Sequence, residues 1–112
     1  MLIVSKSGAI SLTRGDTAKL TVFPTIGEGE EKQPYAVQED DVLTFTVKKK
    51  YGDDVPLIEK KLTGSTTFHI EPKDTKGLDF GKYKYDVQLT TASGENYTFI
   101  DRKDFIITEE VG

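Results

Sequence analysis

The chain has 112 residues, no cysteine, one histidine and a formal net charge of −4, from 15 Lys and Arg against 19 Asp and Glu. Such a length holds one domain, here 1–112, and the lack of cysteine excludes disulfides, thiol catalysis and cysteine-ligated metals. A mildly acidic surface repels nucleic-acid phosphates, so no nucleic-acid partner is expected, and the basic run Lys48-Lys49-Lys50 reads as the solvated end of a strand.

At the start only Leu2, Ile3 and Val4 precede polar residues. That is too short for a signal-peptide core, and no later stretch reaches a membrane span. The expectation is a cytoplasmic chain without membrane insertion, unless it leaves the cell within an assembly. Residues 2–13 read as a first strand, interrupted at Ser7-Gly8. Arg14-Gly15-Asp16 follows. Adhesion receptors of the integrin type grip this tripeptide, but here it separates the apolar pairs Ile10/Leu12 and Leu20/Val22. Gly tolerates unusual backbone angles and Asp bonds back to the backbone, so the tripeptide reads as a strand-to-strand bend.

In 17–23, Ala18, Leu20 and Val22 alternate with Lys19 and Thr21, the period of a half-buried strand. The segment 24–41 is the one long irregular stretch, since Gly27, Gly29 and Pro34 oppose regular structure. Tyr35 and Val37 are expected to pack its second half back onto the fold. Its acids Glu28, Glu30, Glu31, Glu39, Asp40 and Asp41 lack the Asp-x-Asp-x-Asp-Gly spacing of an EF-hand loop. The "GEGE" run lacks the Lys-Ser/Thr and helix of a phosphate loop. No metal or cofactor is assigned, and a small-molecule ligand is not expected.

Strands are expected over 42–50, 57–62, 66–70, 81–90 and 96–108, with Asp53-Asp54 in a polar turn and at most one helical turn in 71–78, opened by Pro72. His69, between Phe68 and Ile70, falls on the outer face. No nucleophile and carboxylate are spaced to work with it, so no enzyme activity is expected. About seven short alternating strands in about 100 residues indicate an antiparallel sandwich.

The most specific local run is "LDFGKYKYDV". Asp79-x-Gly81-x-Tyr83-x-Tyr85 resembles the Asp-x-Gly-x-Tyr-x-Cys run of immunoglobulin-like domains. There, a glycine permits a tight bend and a tyrosine returns its hydroxyl to an upstream backbone group, the tyrosine corner. The expected fold is therefore all-β: an immunoglobulin-like antiparallel sandwich of the tyrosine-corner type, without a disulfide. Tyr83 would make the corner, and Tyr85 would replace the usual cysteine by packing. In that fold the loop 24–41 and the turn 91–95 share one end. Tyr35, Glu39, Asp40 and Tyr51 then form the expected interaction surface, and Tyr35 with Tyr51 is the one aromatic pair suited to stacking on sugars.

Five segments, "SLTRGDTAKLTV", "DDVLTFTVKK", "PLIEKKLTG", "PKDTKGLDFGKYKYDVQLTTASGENYT" and "DFIITEE", extend the likeness over about residues 9 to 110. Together they resemble the N-terminal immunoglobulin-like domain of baseplate upper proteins and related tail proteins of phages and prophages of Gram-positive bacteria. The resemblance implies a non-enzymatic structural or protein-interaction module located in the virion tail or baseplate. Its partners would be other tail proteins or further copies of itself, docked at a strand edge or at the loop end. A carbohydrate- or cell-surface-binding domain is the alternative.

Overall fold

The computed structural model describes residues 2–27, 30, 32–49 and 55–109. In chain order the elements are β1 (Leu2–Val4), β2 (Ile10–Thr13), β3 (Ala18–Thr21), β4 (Thr25–Ile26) and β5 (Gln33–Pro34). They continue with β6 (Val42–Lys48), β7 (Ile58–Thr63), β8 (Thr67–Ile70), α1 (Pro72–Lys76), β9 (Gly81–Thr90) and β10 (Asn96–Thr108). The fold is all-β apart from that one helical turn. Strands β1-β2-β10-β9-β6-β7 form one sheet in that order, β3 pairs with β8, and β4 pairs with β5.

Period two sets the core. Leu43, Phe45 and Val47 of β6, and Tyr83, Tyr85, Val87 and Leu89 of β9, are buried while their neighbours are not. Leu20 of β3 and Phe68 and Ile70 of β8 belong to the same core. Phe45 sits at its centre, with ring centroids 5.5 Å from Phe68 and Tyr85 and 6.0 Å from Phe105. Tilted and edge-on ring contacts of this kind add to plain area burial.

Three expectations are corrected. Residues 2–13 are not one interrupted strand. Ser5 donates to Ala9 O at 2.8 Å, Gly8 adopts φ +92°, and the chain doubles back so that Leu2 lies opposite Leu12. The large sheet is mixed rather than antiparallel, because β2 pairs in parallel with β10, Ile10 facing Phe105. The cause is the bend after β2, which carries the chain to the other ribbon. The neighbour left for β2 is then the last strand, running the same way. Third, the loop 24–41 does contain a ladder, with Thr25 opposite Pro34 and Ile26 opposite Gln33. So short a ribbon accommodates proline, since among the described residues each of its strands pairs on one side only.

Strand β10 is irregular in its middle. Its register against β9 shifts between Thr98 and Ile100 and again between Ile100 and Lys103, and Arg102 has φ +53°. Such bulges kink a strand and re-aim its side chains. Among the described residues, no helix is long and apolar enough to cross a membrane.

Candidate functional site

The Arg14-Gly15-Asp16 tripeptide forms the link from β2 to β3. Asp16 N donates to Thr13 O at 3.1 Å, and Gly15 takes φ +84°, a conformation open to glycine. The bend is fastened to a distant part of the chain. Gly15 N donates to Thr75 Oγ1 of α1 at 2.8 Å, and the Thr75 side chain is fully buried. The Arg14 guanidinium lies 4.2 Å from the centroid of Phe80, and Nη1 donates to Leu78 O at 3.4 Å. α1 is itself held by Asp74, whose Oδ2 accepts from Glu71 N at 2.8 Å and pairs with Lys60 at 2.8 Å.

Immediately downstream, Gly81 opens β9 with φ +141°. Tyr83 is buried, and its hydroxyl donates to Asp79 O at 2.7 Å. Burial, with the Asp79 charge nearby, pushes the Tyr83 phenol above its ordinary range. The Lys49 ammonium lies 5.1 Å from the Tyr83 ring centroid. Two residues on, the buried Tyr85 donates its hydroxyl to Gly8 O at 2.5 Å, tying β9 to the turn between β1 and β2.

At the other end of the molecule Asp41 gathers three loops. Its Oδ2 accepts the Tyr35 hydroxyl at 2.5 Å and Gln38 N at 2.8 Å, and its Oδ1 accepts Ala92 N at 3.2 Å. Its carbonyl accepts Gly64 N at 2.9 Å. The phenol bond, followed by the amide of Gln38, holds the Asp41 carboxyl below the usual carboxylate range. That same bond pushes the Tyr35 phenol up. Segment 35–41 and the turn 91–95 thus meet at one end of the fold.

Tyr35 is half-buried and packs against the core, so its ring is a strut of the loop rather than an open platform. Glu39 and Asp40 are exposed at the tip of the same loop. Tyr51 lies outside the described residues, as do Glu28, Gly29, Glu31 and Asp53-Asp54, where a polar turn is expected. His69 is exposed on β8. Among the described residues, no three His, Asp or Glu side chains converge as a metal-binding group.

Sequence reasoning placed Asp41 only among candidate calcium ligands and missed Thr75. Both are buried polar residues beside turns. The available signal was local: Asp41 stands where irregular chain gives way to strict alternation, a place where a carboxylate often collects backbone amides.

Two openings lie along β10. One opening, of about 620 Å³, is lined by Ile26, Lys32, Asn96, Tyr97 and Phe99. A second, of about 350 Å³, is lined by Val4, Val22, Phe23, Phe99, Ile100 and Lys103. They share Phe99. Comparison of the chain with protein-family models, curated proteins and solved structures found no match to any of them.

Proposed function

We propose that the chain is an immunoglobulin-like sandwich of the tyrosine-corner type, serving as a non-enzymatic interaction module in the tail or baseplate of a phage or prophage. The strand order supports the fold reading. β10-β9-β6-β7 follows the G-F-C-C′ order of immunoglobulin-like sheets, and β3-β8 follows the B-E order of the facing one. The hydrogen bond from Tyr83 to Asp79 O supports the corner. The tail assignment draws on the likeness of the five segments to baseplate upper proteins.

One observation carries the interaction role. β3 pairs with β8 alone among the described residues, and Val4 and Phe23, 49% and 81% exposed, stand beside its other edge. An unpaired edge flanked by exposed apolar side chains is an attachment surface by default. Partners are other tail proteins or further copies of the chain; around a ring such contacts join different faces of successive copies. The test is immunogold electron microscopy of particles from a lysogen that encodes the chain. Label at the tail tip or baseplate is expected, and unlabelled particles from a culture expressing the protein overturn the assignment.

A further inference from the structure

We propose that the groove between β3 and the bulged part of β10 receives an extended strand of a partner protein, with alternate apolar residues and a carboxylate at one end, added to the edge of β3 that no described strand pairs. This deepens the interaction-module reading above and rests on it for the biological partner.

The backbone specifies the shape of the occupant. Val22 N donates to Thr66 O at 3.0 Å, and Leu20 lies opposite Phe68. In an antiparallel pair, hydrogen-bonding direction alternates along the strand. Leu20 and Val22 therefore direct their backbone groups at β8, while Thr21 and Phe23 direct theirs to the opposite side. That side is the groove, whose wall contains Thr21, Val22 and Phe23. A row of outward amides and carbonyls is satisfied by one kind of ligand, another extended chain.

The gap exists because of how the N-terminus folds. β1 turns back on β2 at Gly8 instead of running beside β3. On the far wall, among the described residues, β10 pairs with β2 only from Phe105 onward. The two register shifts and the positive φ of Arg102 kink β10 before that point, which blunts it as a pairing edge. The straight edge of β3 is the one left to template a strand.

Side chains and charge specify the rest. Val4, Phe23, Phe99 and Ile100 present apolar surface to alternate residues of the guest. Lys103 lines the groove, and among the described residues no Asp or Glu does, although the whole chain carries a net charge of −4. An ammonium group with no described carboxylate in the lining favours a guest with an acidic end.

The probe is the synthetic peptide acetyl-Glu-Val-Thr-Ile-Thr-Val-Glu-amide, titrated into the isotope-labelled full chain with amide hydrogen exchange read by NMR. At saturation, exchange at Thr21 and Phe23 is expected to slow by about tenfold or more. The same peptide N-methylated at alternate residues should give no protection, and one with Lys in place of both Glu should bind about tenfold more weakly. Lys103→Glu, at an exposed position, should reverse that last preference. Unprotected amides at saturation, equal protection by the N-methylated peptide, or indifference to the end charges each overturn the proposal. None of these readouts depends on where the protein resides. Unlabelled virions sink the tail assignment and leave the groove standing, while unprotected amides do the opposite.

Discussion

Tyr35 and Asp41, six residues apart in one loop, are joined by a 2.5 Å hydrogen bond from the phenol to Oδ2, and the same carboxylate accepts the amides of Gln38 and Ala92. Two segments distant in sequence, 35–41 and 91–95, are thus joined by one charge. Because the folded Asp41 carboxyl lies below its ordinary value, the unfolded chain binds the proton more readily. Its contribution is fully present above the unfolded carboxylate pKa of about 3.9 and is lost as pH falls through the lower folded value. Asp41→Asn is expected to lower the thermal midpoint at neutral pH and to flatten its fall in acid. Asp74 and Asp104, also held low, keep part of that fall in the variant. Circular dichroism melts across the acid range measure it. An unchanged acid slope would show that Asp41 is not the organising charge.

Thr75 is the second buried polar anchor. Its hydroxyl accepts the amide of Gly15, which has no strand partner in the bend. Thr75→Val keeps the shape and leaves that amide unsatisfied, for an expected loss of about 1–3 kcal/mol in denaturant unfolding. Thr75→Ser, which retains the hydroxyl, should recover most of it. Equal losses in both variants would assign the effect to packing instead.

Two glycines offer a matched contrast. Gly64 has φ +68°, and a Cβ there would come within 2.8 Å of Glu39 O, a backbone atom unable to swing aside. Gly64→Ala is expected to destabilise by roughly 1–3 kcal/mol. Gly77, at the end of α1, has φ −87° and open space around it. Gly77→Ala should be neutral or stabilising by up to about 1 kcal/mol, since it restricts only the unfolded chain. The two melting curves should move in opposite directions or differ by several degrees.

The strands were legible because one physical rule, alternation across a half-buried sheet, governs Leu43-Phe45-Val47 and Tyr83-Tyr85-Val87-Leu89 alike. Pairing was less so. Nothing local in Leu2-Ile3-Val4 tells whether it runs beside β3 or doubles back on β2; Gly8 settles it through a turn whose carbonyl is then capped by Tyr85, 77 residues away. The candidate surface was legible in part for the same reason. Loop composition pointed to 24–41, but that Tyr35 props the loop against Asp41 follows from tertiary packing. The edge of β3 left without a described partner is defined by what does not pair with it, and a sequence carries no local mark of that.

Tyr83 supplies a direct measure of the bend before β9. Its hydroxyl reaches back four residues to Asp79 O at 2.7 Å. Tyr83→Phe removes this single bond while keeping the buried ring, with an expected loss of about 1 kcal/mol. Urea titration checks it, and an unmoved midpoint would leave the bend held by Gly81 and packing alone.

Tyr85 should dominate the alkaline behaviour. Burial pushes its phenol up to about 12, against about 10 in the unfolded chain. A buried neutral phenol is favoured by the folded state, so its contribution is complete below about pH 10 and is lost as pH rises through the folded value. Phenolate absorbance of the wild type should show one of its five tyrosines ionising late. That step should coincide with loss of the near-ultraviolet circular dichroism of the packed core. Tyr85→Phe should abolish the late step and weaken the alkaline unfolding. It should also cost about 1 kcal/mol at neutral pH by releasing the Gly8 carbonyl. A late step that survives in Tyr85→Phe would transfer the role to Tyr83, the other buried phenol of β9.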